Sequence, residues 1–369
     1  MTASTPAPTP ASKSASASVP QPAAQSTPPR SSASAAPADA ARPSDAPFDA
    51  AALDDGQLVA LSHGPSRVLV APHVGGSIAA FYDASGSDGA DRAFHWLRPA
   101  TRAAIDARDP LGMASFPLMP YCNRIRDGRF RFEGEMIDLP SGTGQLRHAL
   151  HGHAWRRPWS VEAQTGASLT LHFLHEPETP HDAARGGKGW PFRYEARQHI
   201  VLDDDGLSVR LWARNLAARP MPFGLGHHPY YPRTPGTRIA ARVRAMWEID
   251  AEVLPVSLNT HPAVDALQAG LVLDDFDLDN NFSGWRREAL IEWPQHRRRL
   301  VLRASAPLDF FVLFSPPDIP YFCAEPVSNT TDWLNLTHSG SAERMDVGGT
   351  VLAPGETIEA RLAWLPERS

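Results

Sequence analysis

The sequence predicts an all-β protein, a large β-sandwich, on three observations. Short apolar runs of alternating polarity recur from Arg67 almost to the last residue. Proline and glycine, 36 and 26 of the 369 residues, punctuate the gaps between those runs. No long segment keeps the 3.6-residue apolar period of an amphipathic helix. Strands this short and this closely spaced suit packed antiparallel sheets better than an α/β fold.

Residues 1–47 are dominated by Ala, Ser, Pro and Thr, too poor in bulky apolar groups to offset chain entropy, so a disordered tail is expected there. It lacks the continuous apolar run of a secretory signal. Residues 48–369 read as a single domain, with no linker composition and no internal repeat. Arg67–Pro72 and Ser77–Tyr82 flank Gly75-Gly76 as two early strands. Leu169–Phe173 alternates, and Leu207–Arg214 places Leu207, Val209, Leu211 and Ala213 on one face. Ile239–Trp247, Ala289–Trp293, Leu300–Arg303, Phe310–Phe314 and Ile358–Trp364 repeat the pattern.

A formal charge of −6 gives no pull toward nucleic acid or an anionic membrane, so neither is expected as a partner. No apolar run approaches the roughly 20 residues that span a bilayer. Two cysteines, Cys122 and Cys323, do not make a disulfide framework in a chain of this size, which favours a reducing, cytoplasmic setting. The sequons at Asn329 and Asn335 carry little meaning without a secretory signal.

Five stretches could carry chemistry. Gly224-Leu225-Gly226-His227-His228-Pro229-Tyr230-Tyr231-Pro232 combines close backbone approach, imidazoles and flat aromatic surface, although a strand-end turn could have the same composition. In Phe116–Phe130, Asn123 and Arg124 offer an amide and a guanidinium fork suited to sugar hydroxyls, followed by an Asp127-Gly128 hairpin signal. A solvated strand face of Arg124, Arg126 and Arg129 would look similar. His151-Gly152-His153 resembles a metal-binding pair, but Glu162 lies too far along, beyond Pro158, for a cupin-type ligand set, and no metal is expected. Phe276–Trp285 sets Asp279, Asn280 and Asn281 among aromatics. Tyr321–Asn329 places one carboxylate, Glu325, in an apolar strand-like run where burial could tune it as a base.

In chain order, Asn123-Arg124-Ile125, Leu150-His151-Gly152, Gly226-His227-His228-Pro229-Tyr230-Tyr231, Leu278-Asp279-Asn280 and Ala324-Glu325-Pro326 resemble the aldose 1-epimerases, or galactose mutarotases. Leu352–Glu356 is similar to that family's last hairpin, and the resemblance runs from about residue 55 to 365. It implies a supersandwich whose concave face binds a monosaccharide without metal or cofactor. It further implies Glu325 as catalytic base, His228 as catalytic acid and His151 as a second active-site histidine, with Asn123, Arg124 and Asp279 holding hydroxyls. Where several relatives carry a polar side chain, often Gln, before the strand at Phe310, this chain has Ala306-Pro307, which bears on sugar preference.

Anomer exchange needs a base for the anomeric hydroxyl and an acid for the ring oxygen, and a carboxylate beside an imidazolium would supply both. A hexose 6-phosphate epimerase is the competing enzyme, with Arg126, Arg129, Arg156 and Arg157 as its candidate cationic pocket. A catalytically silent sugar-binding sandwich is the competing non-enzyme.

Overall fold

Residue-by-residue alternation builds the two large sheets. The computed structural model describes residues 1–2, 56–85, 93–140, 147–177, 189–339 and 344–367; the tail expected over 1–47 otherwise lies outside the described residues. In Leu207–Asn215, Leu207, Val209, Leu211 and Ala213 are all buried while their neighbours are partly or fully exposed. Burying each of the larger three contributes about 1.5–3 kcal/mol of transfer free energy. Tyr194–Leu202 alternates in the same way. These strands are central to a sheet ordered Ser160–Gln164, Ser168–His175, Tyr194–Leu202, Leu207–Asn215, Thr357–Glu367, Arg298–Ala304, Glu288–Trp293, Arg238–Ala241, Leu271–Val272.

The other sheet runs Val59–His63, Ser66–Ala71, Ser77–Asp83, Ser115–Leu118, Gly226–Pro232, Tyr321–Val327, Phe310–Phe314, Asp279–Ser283, Ala245–Ile249, Pro255–Asn259, with Phe94–His95 on the flank of Ser77–Asp83. Both sheets pair antiparallel throughout their described registers. Tyr231, Phe322, Phe311 and Leu313 of this sheet pack into one apolar core with Leu171, Leu211, Leu302 and Leu362 of the first. Two indoles lock the sheets together across that core: Trp364 donates to the Tyr231 hydroxyl and Trp293 to the Pro232 carbonyl, each at 2.8 Å.

Several elements differ from expectation. Ile239–Trp247 is not one strand. The chain leaves one sheet after Ala241 and enters the other at Ala245, with the crossing held by Arg286 N–H to the Arg242 carbonyl and Arg244 N–H to the Ser283 carbonyl. Asp127 and Gly128 both take positive φ, as a tight turn requires, yet the flanking segments do not pair with each other. Arg124–Ile125 pairs with Ala149–Leu150, and Arg129–Phe132 with Glu135–Asp138. Thr350–Leu352 pairs with Met221–Phe223, so the Ala353–Glu356 turn does not close the expected last hairpin. Short helices occur at Arg102–Asp106, Pro262–Ala269, Trp333–Ser339 and Arg344–Val347, and among the described residues none is long and apolar enough to cross a membrane.

Candidate active site

The strand Gly226–Pro232, which its composition also allowed to be a turn, lies in the middle of its sheet and is buried on both faces. The two-residue side-chain period therefore sends its adjacent histidines in opposite directions. His227 enters the core, where Nδ1 meets the Ser115 hydroxyl and Nε2 meets Gln198 Oε1 of the opposing sheet at 3.3 Å. His228 takes the other face, stacked on Phe116 and on Tyr230 at centroid distances of 4.8 and 4.7 Å, those two rings being 6.2 Å from each other.

Register turns that outer face into a grid. Phe116 lies opposite His228, Glu325 opposite Val312, and Val312 opposite Asn281. The Tyr230–Cys323 pairing brings His228 and Glu325 into the same transverse row. Two residues along on one side, the row reads Tyr230, Cys323, Phe314, Asp279; on the other it reads Leu118, Gly226, Val327, Phe310. Gly226 lets two strands press close, since a Cβ there would sit 2.7 Å from the Pro326 carbonyl oxygen.

His228 Nε2 stands 3.2 Å from Glu325 Oε1, both side chains being almost fully buried. Burial drives the Glu325 carboxyl well above its ordinary value; nearby Asp279 pushes the same way, and Arg124 opposes. Burial also lowers His228 to about 3, helped by Arg98. Desolvation thus favours the uncharged form of each, a carboxylic acid beside a neutral imidazole. Burial of both groups thus works against the expected carboxylate–imidazolium pair. Glu325 Oε2 has no hydrogen-bond partner among the described residues.

Over this face lie two loops. His151 has φ +58° and Asn123 φ +61°, and they are tied together by Asn123 N–H donating to His151 Nδ1 at 3.1 Å. A neutral His151 must therefore carry its proton on Nε2. Burial, His228 and Arg124 all hold its pKa well below the ordinary value. Its ring centroid is 5.2 Å from that of His228. Asn123 Oδ1 accepts from the backbone N–H and the guanidinium of Arg124, at 2.8 and 3.3 Å, so Asn123 orients the guanidinium. The Asp279 carboxyl is raised by burial and lowered by Arg124. The structure thus brings Glu325, His228, His151, Asn123, Arg124 and Asp279 to one side of one sheet.

Sequence reasoning missed Arg98 here, and it assigned no role to Phe116 or Asn281 within the stretches that contain them. Arg98 lies 4.0 Å from the Tyr230 ring centroid and 4.6 Å from that of Tyr321, while donating to the carbonyls of Leu111 and Met113. Phe116 forms one wall of the imidazole slot. Asn281 shares the row of Glu325, and neither polar atom of its buried amide has a partner among the described residues. Its only signal in the sequence was an Asn-Asn step, indistinguishable from a turn.

The His-Gly-His pair does not converge. His153 packs against His175 at 4.1 Å between centroids and bonds the Tyr194 hydroxyl through Nε2. Among the described residues, the set whose ligand atoms could meet one cation is His228, Cys323 and Glu325, within 4.8 Å of one another. Both cysteines are buried and free. Asn329, a sequon residue, is fully buried and bonds Cys122 through both amide atoms, so it is spent on joining two loops. Of the arginines expected to form a phosphate pocket, Arg126 pairs with Asp332, Arg129 with Asp138, and Arg156 lies over the Trp155 ring.

The sequence profile described as Aldose 1-epimerase matches residues 57–364. An uncharacterised protein of Escherichia coli (strain K12), YphB, is 29% identical over 84% of this chain and 99% of its own length. The aldose 1-epimerase of Haemophilus influenzae is 26% identical over 30% of each chain. A crystal structure of a putative aldose 1-epimerase from Escherichia coli K12 superposes with TM-score 0.72 at 26% identity, covering 85% of this chain and 99% of that one. A galactose mutarotase-like protein from Clostridium acetobutylicum shares the fold, with TM-score 0.72 at 19% identity over 85% and 95% of the two chains.

Proposed function

The chain belongs to the aldose 1-epimerase family, and from that premise we propose that it exchanges the α and β anomers of an aldose by opening and reclosing the sugar ring. The observation that carries this reading is the buried Glu325–His228 pair, 3.2 Å apart on neighbouring strands. In the neutral form the pair holds one proton, on Glu325. Passing it to His228 costs no net charge and leaves a carboxylate base beside an imidazolium acid.

Glu325 then takes the proton of the anomeric hydroxyl as the C1–ring-oxygen bond breaks. The bond's electron pair goes to the ring oxygen, which takes the proton of His228. The result is an open-chain aldehyde, with the pair's proton now on Glu325. Rotation about C1–C2 presents the other carbonyl face, and the reverse transfers reclose the ring. Arg124 favours the carboxylate form of Glu325 and, with Asp279, holds hydroxyls. His151 Nε2–H donates to the aldehyde oxygen and limits its drift.

The test is the approach to anomeric equilibrium of freshly dissolved α-glucose and α-galactose, followed by polarimetry with excess chelator present. Exchange well above the buffer rate, abolished in Glu325→Gln, is the expected result. A panel of aldoses with no acceleration would leave a sugar-binding sandwich as the better reading.

A further inference from the structure

Three donors of different chemistry stand together on the outer face of Gly226–Pro232 and its neighbour Tyr321–Val327. A ring nitrogen of His228, the sulfur of Cys323 and a carboxylate oxygen of Glu325 lie within 4.8 Å of one another, and all three side chains are buried. We propose that this trio is a site for a zinc-type cation, and that the ion inhibits anomer exchange by occupying the base and the acid at once. The inhibitory half of this statement rests on the activity proposed above; the cation site does not.

Register builds the trio. Cys323 and Glu325 are two apart on one strand, so both point to the same face. Tyr230 lies opposite Cys323, which sets His228 opposite Glu325. His228 Nε2 is 3.2 Å from Glu325 Oε1, close to the ~3.3 Å edge of a zinc tetrahedron with bonds of ~2.0 Å. An edge from sulfur to nitrogen or oxygen is about 3.5 Å, so the thiol has to close a gap of about 1.3 Å at most. Glu325 Oε2 has no hydrogen-bond partner among the described residues, so the carboxylate gives up no bond there when it turns toward a cation.

Ligand chemistry selects the ion. A thiolate, a carboxylate and a neutral imidazole around a divalent cation sum to zero charge, which a buried site tolerates. Asp279 and Arg124 act on Glu325 with opposite signs and leave that balance in place. Sulfur with imidazole favours zinc over magnesium and calcium, which take oxygen ligands. Three protein ligands leave the fourth position to water, on the side from which the proposed sugar approaches. The His153–His175 pair offers no equivalent, because its Nε2 atoms meet the Tyr194 hydroxyl and the Trp190 carbonyl. Cys122, the other free thiol, is outside the trio and serves as a control.

The test titrates the reduced, chelator-free protein with Co²⁺ and follows sulfur-to-cobalt charge-transfer absorption in wild type, Cys323→Ala and Cys122→Ala. Anomer exchange is then measured against Zn²⁺, with Mg²⁺ as a control and chelator added last. One cobalt per chain with that absorption is expected in wild type and Cys122→Ala, and none in Cys323→Ala. Zinc should bring wild-type exchange down to the buffer rate and chelator should restore it, while Cys323→Ala should need about tenfold more zinc or beyond. No such absorption in wild type, or the same absorption in Cys323→Ala, overturns the site. Should Cys323→Ala not fold, Glu325→Gln decides in its place: a cobalt affinity that does not fall about tenfold overturns the site. Cobalt bound through Cys323 with exchange untouched by zinc overturns the inhibitory role. If wild type exchanges no sugar even in chelator, the proposed activity fails, while the cobalt spectrum still decides the cation site.

Discussion

Replacing Glu325 by Gln separates chemistry from packing in one variant. The amide keeps the shape of a side chain that is 3% exposed and 3.2 Å from His228 Nε2, but it cannot take a proton. Loss of that transfer is expected to lower kcat by on the order of 10²–10⁴, about 2.7–5.5 kcal/mol in the barrier, with sugar affinity within a few fold. Stability should move with pH in a definite direction. Burial raises the folded-state pKa of Glu325 above its ordinary 4.5, so its contribution is full below that value and is lost as pH rises through the raised one. Gln has no such dependence. Melting curves of both proteins from about pH 4 to about pH 8 should therefore show the variant gaining on wild type as pH rises. Near-normal turnover in Glu325→Gln would refute the base assignment and make Asp279 the next carboxylate to test. A melting difference independent of pH would refute the burial argument even if turnover collapsed.

Three further outcomes follow from the same coordinates. The kcat/KM profile should be a broad bell for a pair holding one proton, its acidic limb lying near the depressed His228 value of about 3 and its alkaline limb above the ordinary carboxylate range; an acidic limb near 6.5, the value of a solvated imidazole, would contradict it. Gly152→Ala places a Cβ 2.1 Å from the Met119 carbonyl oxygen at φ +70°, so a loss of about 1–3 kcal/mol or more in chemical denaturation is expected, and turnover should drop as His151 shifts. Asn281→Leu removes two unpartnered buried polar atoms; a higher melting temperature together with a higher KM is expected, and a lower melting temperature would count against the site role.

The fold was legible in the sequence where one face of a strand meets solvent, because alternation is then visible. Leu207–Asn215 sits within a residue of where the pattern puts it; Phe310–Phe314, also where expected, is buried on both faces and shows instead as an unbroken apolar run. It failed at Ile239–Trp247, where apolar residues continue through a chain that changes sheets, since periodicity reports burial and not the partner strand. Gly226–Pro232 was open to reading as a turn because a strand buried on both faces, rich in Gly and Pro, carries no alternation. The candidate site residues that the fold gathers on one face had been picked out by short motifs whose order resembled a family. Arg98 was not, and Phe116 and Asn281, though inside two of the candidate stretches, had no assigned role, because their places come from register between strands far apart in the chain. The arginines offered for the competing phosphate pocket were selected by proximity in sequence, and the fold pairs Arg126 with Asp332 and Arg129 with Asp138.

The same grid bears on why a buried sheet face would suit the proposed proton transfer between two groups. In water a glutamic acid and a histidine ionise independently, and at neutral pH the proton the reaction needs is mostly absent from both. Buried beside Phe116, Tyr230 and Val312, the two groups lose hydration together, which raises the Glu325 carboxyl and lowers the His228 imidazole, so that the uncharged pair with its proton on Glu325 is favoured. Ring contacts from Phe116 and Tyr230 to the imidazole, and strand pairing under Glu325, hold the two groups at one separation. Arg124, held by Asn123 from an overlying loop, is the group able to tilt that balance toward the carboxylate. The sheet supplies the shared proton and the loop supplies the bias; an Arg124→Ala variant should therefore shift the alkaline limb upward as well as weaken sugar binding, and a KM change with an unmoved limb would confine Arg124 to holding hydroxyls.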